Sequence, residues 1–197
     1  MPTPSVQGAD AHFSPLRLEA RSLPVKLLAV LIGTLFLTLS SYITVPMVPV
    51  PITMQTFAVM MVGALYGWRL GTATILAWLA EGVAGLPILA GGAGGLAHFM
   101  GPTGGYILSW PLMAAFVGWL AERGWNGERP LLAFLSMLIA GTFCLVAGAT
   151  WLAGFVGAEK AVTLGVLPFL LGDALKAALG AATLAAIVRT GNWWRSE

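Results

Sequence analysis

The chain has 197 residues, of which 58% are hydrophobic and 9% charged, against about 25% charged in an ordinary soluble domain. That deficit excludes a soluble globule and places the chain in a bilayer. A formal net charge of +2 is too small for a nucleic-acid binder, and a single cysteine, Cys144, excludes a disulfide framework and a zinc pattern.

Residues 1–23 read as a polar tail, with Pro2, Pro4, Pro15, Arg17 and Arg21. A charged stretch before an apolar run is also the order of a signal peptide. Here the run continues from Leu27 through Ile43, long enough to span a membrane, so a retained first helix is expected. Six spans follow from the apolar stretches: Pro24 to Ile43, Ile52 to Gly67, Leu70 to Leu86, Gly104 to Ala121, Leu131 to Ala153, and Val162 to Val188. The expected fold is an all-α integral membrane bundle over residues 24–190, with a short tail at 191–197 and no room for a second domain.

Basic residues set the orientation, because Lys and Arg gather on the cytoplasmic side. With both termini cytoplasmic, Arg17, Arg21, Lys26, Arg69, Arg123, Arg129, Arg189 and Arg195 lie inside, eight of the ten Lys and Arg residues. Two external connections are unusual. The first, 44–53, carries Pro46, Pro49 and Pro51, each biasing its predecessor to extended geometry. The second, 85–105, holds Gly91-Gly92-Ala93-Gly94-Gly95 and Gly101-Pro102-Thr103-Gly104-Gly105-Tyr106. Irregular backbone near membrane depth is tolerated where it is buried in protein or lines a cavity. Together the two connections read as a lid.

Gly92-Ala93-Gly94-Gly95-Leu96-Ala97 matches the dinucleotide pattern G-x-G-x-x-G/A, but no βαβ context surrounds it, and no P-loop occurs in the chain. The stretch is either a plain flexible loop or a lid in which glycine lets backbone approach a ligand. Gln55 is the amide in a membrane-associated position, able to donate and accept or simply to wet itself at the interface. Glu81, near the outer end of the third span, reads as interfacial. His98 reads as a solvated loop residue or a ligand contact. Most tryptophans sit near span ends, as in an aromatic belt; Trp78 is mid-span and so placed to face a pocket. Ala29-x-x-x-Gly33 on the first span is a small-residue pair that permits close helix approach.

Asp173 and Lys176 stand out most. A charge at mid-membrane depth costs roughly 2.5–3.5 kcal/mol on insertion scales, and residues three apart are helix neighbours. The pair reads as a self-neutralising structural couple, or as a site in which Lys176 takes an anion and Asp173 accepts N–H donors.

Pro49-Val50-Pro51-Ile52-Thr53-Met54-Gln55-Thr56-Phe57, Gly85-Leu86-Pro87, Gly101-Pro102-Thr103-Gly104-Gly105-Tyr106 and Leu171-Gly172-Asp173-x-x-Lys176 resemble the BioY family over residues 24–190. These are the biotin-binding S components of energy-coupling-factor (ECF) vitamin transporters. The resemblance implies a six-helix S-component bundle that captures biotin from outside a prokaryotic cytoplasmic membrane. It implies a transporter, not an enzyme, with no cofactor or metal of its own. The implied partners are a transmembrane coupling protein and ATP-binding cassette ATPases that use the ATP; a homo-oligomer is also open. It implies substrate contacts at Asp173, Lys176, Gln55, Tyr106, Thr103 and Gly94, and docking of the coupling protein at Ala29 and Gly33. The alternatives are an S component for another vitamin, or an intramembrane enzyme using Asp173 or Glu81.

Overall fold

The computed structural model describes residues 16, 18 and 21–193. The expectations resting on Arg17 and Arg195, and most of the two tails, lie outside them.

Helix α1, Leu23–Tyr42, opens with Pro24 in its first turn, where a missing N–H costs nothing. Its outer face is aliphatic, with Leu27, Leu28, Leu31, Ile32, Leu35 and Leu39 all exposed and so free to meet lipid. Its inner face is mostly small and polar: Ala29, Gly33, Thr34, Ser40 and Ser41 are buried beside one large residue, Leu37. The hydroxyls of Thr34, Thr38 and Ser41 donate to helix carbonyls three or four residues back, which removes the cost of burying them.

The first connection is a hairpin. Strands β1, Thr44–Val45, and β2, Ile52–Thr53, pair antiparallel with Thr44 opposite Thr53. The prolines between them cannot donate to a ladder, so the strands stay short and the tip stays irregular.

Helix α2, Gln55–Val83, is broken at Gly67 (φ 78°, ψ 171°). Residues eight apart in one straight helix lie about 12 Å apart. Yet a Cβ on Gly71 would sit 3.0 Å from the Gly63 Cα. The chain therefore doubles back, and α2 is two antiparallel arms, 55–66 and 68–83. Glu122 secures the reversal by accepting the Trp68 N–H at 3.0 Å. It satisfies one of the donors that every helix start leaves open.

The second connection holds a 3-10 turn at Ala90–Gly92 and helix α3, Leu96–Phe99. It is tied to the bundle at three points. Tyr42 donates to the Pro87 carbonyl (2.5 Å), the Gly95 N–H to Gly82 (2.7 Å) and the Trp151 indole to Gly101 (2.9 Å).

Helix α4, Gly104–Glu122, is the central element, packed against both arms of α2 and against α5, Pro130–Val156. A Cβ on Gly63 would lie 2.6 Å from the Ala114 carbonyl, and one on Gly118 2.6 Å from the Trp68 nitrogen. Backbone meets backbone at both places, which only small residues allow.

The expected sixth span is not one helix. Helix α6, Ala158–Gly165, ends at Val166, a 3-10 turn spans Leu167–Phe169, and α7 runs Leu170–Trp193. Pro168 explains the break, since it offers no N–H to continue the ladder and clashes with the turn before it. Among the described residues, five helices, counting α2 once and α6 with α7, are long and apolar enough to cross a membrane.

Candidate functional site

At one end of the bundle, where α1 finishes and where α2, α4 and α7 begin, the two irregular connections close over a cavity. Its wall is built from Val50, Pro51, Thr53, Gln55 and Thr56 on one side. Leu89, Ala90, His98, Thr103, Tyr106, Ile107 and Trp110 form another, and Phe169 and Lys176 close it. The lining is mostly apolar with few polar groups, the usual make-up of a small-molecule site. Its volume is about 60 Å³, well under the roughly 300 Å³ at which sites for drug-sized ligands begin. A ligand of that size enters only if the connections move apart.

Lys176 lies on α7 and reaches the wall, where its ammonium donates to Thr56 Oγ1 at 3.1 Å. Asp173 stands in the first turn of α7, just after the break at Pro168. A helix start carries partial positive charge, so the carboxylate sits where the backbone itself stabilises an anion. It is 7% exposed and does not line the cavity. Instead it packs on Gly141 of α5, where an added Cβ would overlap its carboxylate atoms. Among the described residues, no ion pair within 4 Å joins Asp173 to Lys176.

Gln55 begins α2, is 4% exposed, and is oriented by its neighbour. Thr53 Oγ1 donates to Gln55 Oε1 (2.9 Å) and accepts the Gln55 backbone N–H (3.2 Å). Gln55 Nε2 is left with no partner in the protein.

Tyr106 lies against Gly148, where a Cβ would overlap its ring, and its hydroxyl donates to the Gly165 carbonyl at 2.7 Å. Its ring therefore forms wall while its hydroxyl braces the segment before α7. Thr103 also reaches the wall. Gly94 does not: it is pressed on the Leu86 carbonyl, and a side chain there would strike backbone. Its lack of a side chain lets the connection fold tightly at this point.

His98 is on the wall, and partial burial holds its imidazole below the usual histidine range, so it is uncharged at neutral pH. Glu81 is not on the wall. Trp78 is fully buried behind Trp110, with ring centroids 5.5 Å apart and planes at 26°; its N–H goes to Thr38 Oγ1 at 3.0 Å. By its position in the sequence Trp110 is one of the tryptophans near a span end, where an aromatic belt is expected. The structure instead makes it part of the wall, 4% exposed, and its Nε1 has no partner.

Ala29 and Gly33 are not on a free face. The Ala29 carbonyl accepts the Tyr66 hydroxyl at 2.9 Å, and a Cβ on Gly33 would meet Thr74 at 2.6 Å and Tyr66 at 3.1 Å. This pair lets α1 sit close against α2.

The profile of the BioY family matches residues 14–192. A Pyrococcus horikoshii protein named as a probable biotin transporter BioY is 42% identical over 147 residues, spanning 73% of this chain and 86% of its own. The biotin transporter BioY of Rhizobium etli is 40% identical, spanning 71% of this chain and 78% of its own. A crystal structure of the S-component for biotin from an ECF-type ABC transporter aligns with a TM-score of 0.75 at 28% identity, over 86% of this chain and 95% of that one. The membrane bundle is thus that of an ECF S component, as the resemblance implied.

Proposed function

Since the chain belongs to the BioY family, we propose that it binds biotin in the cavity under the two connections and serves as the biotin-capturing component of an ECF transporter. The observation that carries this is Lys176. A membrane-embedded cation on the wall of a mostly apolar cavity is suited to a small apolar molecule with one anionic end. Biotin has that form: an apolar ring and chain, a carboxylate, and a ureido group with two N–H donors and one carbonyl acceptor. Lys176 takes the carboxylate, and the rings of Tyr106, Trp110 and Phe169 face the apolar body. Asp173, set behind the wall, holds the start of α7 in place.

The basic residues support an orientation with the cavity outside. Lys26, Arg69, Arg123, Arg129 and Arg189 fall at the ends of the helices away from the cavity, which the charge bias assigns to the cytoplasm. We take the chain to cross the cytoplasmic membrane six times, through α1, the two arms of α2, α4, α5 and α7. Transport requires energy that a chain without a P-loop does not supply. A coupling membrane protein and ATP-binding cassette ATPases are the partners that this reading calls for.

The test is direct binding to the purified protein, by calorimetry and by mass spectrometry of retained ligand. Biotin should bind stoichiometrically and should not be displaced by thiamine or riboflavin. Displacement by either of these, with no binding of biotin, would overturn the reading.

A further inference from the structure

Two buried side-chain polar atoms among the described residues lack a hydrogen-bond partner in the protein, Gln55 Nε2 and Trp110 Nε1. Both belong to the wall of the same cavity. Folded proteins leave few such groups, and each calls for an explanation. The surroundings of each sharpen the point. The Thr53 hydroxyl gives its proton to Gln55 Oε1 and accepts the Gln55 backbone N–H. In this arrangement the NH₂ end of the amide is unspent. Trp110 stacks on Trp78. Of the two indoles, the one off the wall has its N–H satisfied by Thr38, and the one on the wall does not. The Cys144 sulfur lies beside the Trp110 N–H but outside hydrogen-bond geometry, and a thiol is a weak acceptor in any case.

We infer that the Gln55 amide and the Trp110 indole N–H together hold one carbonyl-type oxygen of the ligand. Such an oxygen has two lone pairs, enough for both donors. This rests on the biotin reading, and biotin offers two candidates, the ureido oxygen and the carboxylate. A site that leaves its own donors unmet discriminates against any analogue lacking the matching acceptor, since the donors then stay buried and unpaired.

Trp110→Phe keeps an aromatic ring against Trp78 but removes the N–H together with one ring of the indole, so its melting temperature is read beside its affinity. It should weaken biotin binding by about tenfold or more, of which about tenfold is the order expected for one buried hydrogen bond. Gln55→Glu should weaken it by at least as much. The N–H part of the loss in Trp110→Phe should vanish for one of two analogues: 2-iminobiotin, protonated at neutral pH and so without the acceptor, if the oxygen is the ureido one, or a biotin analogue whose side chain ends in a methyl group if it is the carboxylate. Wild-type protein that fails to bind biotin refutes the underlying reading. Wild-type binding with Trp110→Phe within twofold of it overturns this inference alone. So does a tenfold loss that persists with both analogues, or one reproduced by Cys144→Ala, which would show the N–H to be spent on the sulfur.

Discussion

Replacing Gly141 by alanine tests whether the Asp173 carboxylate is held against α5 as described. Gly141 lies in the interior of α5, where glycine to alanine ordinarily gains about 1 kcal/mol in helix propensity. The new methyl, however, would fall on the Asp173 carboxylate, with Cγ and both oxygens in its way. Overpacking of a well-filled interior costs typically about 1–3 kcal/mol. The two terms together make Gly141→Ala neutral to about 2 kcal/mol destabilising. In an Asp173→Ala background the obstruction is gone, and the same change should stabilise by up to about 1 kcal/mol. The cycle therefore carries a coupling of about 1–3 kcal/mol, within the range measured for residues in contact. Gly154→Ala is the control, since it lies on the same helix with no atom within 4 Å of the added carbon. Denaturation of the four variants in detergent micelles reads the cycle. Equal effects of Gly141→Ala with and without the Asp173 carboxylate would refute the packing assigned to it.

Lys176→Met should weaken biotin more than biotin methyl ester, by roughly tenfold or more as befits a charge-assisted contact; equal losses for acid and ester remove the ammonium from the carboxylate. His98, neutral at pH 7 because burial depresses its pKa, gains charge only below the usual histidine range. Protonation then adds a cation to the wall. Affinity for biotin should rise modestly as pH falls from about 8 to about 5, and His98→Gln should flatten that slope; identical profiles count against it. Gly67→Ala should destabilise by about 1–3 kcal/mol, because its backbone angles are essentially restricted to glycine. A Cβ there would also displace the Glu122 carboxylate. An unchanged denaturation midpoint would remove the reversal as a constraint.

Much of the bundle is written in the order of apolar stretches, and the turn after the short second stretch coincides with the break at Gly67. Pro168 also carried a stop signal, yet the apolar run across it hides the break between α6 and α7. Asp173 accordingly reads as a mid-helix charge when it belongs to a helix start. The shared face of Asp173 and Lys176 is only approximate. Three residues of helix leave them about 60° apart around the axis. That is enough to send one toward α5 and the other to Thr56. Ala29 and Gly33 announce a close helix neighbour without saying which, and the neighbour is α2. Trp110 could not be told from a belt tryptophan, because its depth depends on the stack with Trp78, a contact distant in sequence.

Tyr42 stands in the last turn of α1, one residue from the hairpin that forms one side of the cavity mouth, and its hydroxyl grips Pro87 on the other side. Both sides are thus attached to α1, whose outer face is bare aliphatic surface, and the second is held by α2 and α5 as well. α1 is about 30 Å long, so pivoting it by about 10° at its midpoint swings its end sideways by roughly 2.6 Å, close to the length of a hydrogen bond. A sideways displacement of α1 in the plane of the membrane would therefore act on both sides of the cavity mouth at once.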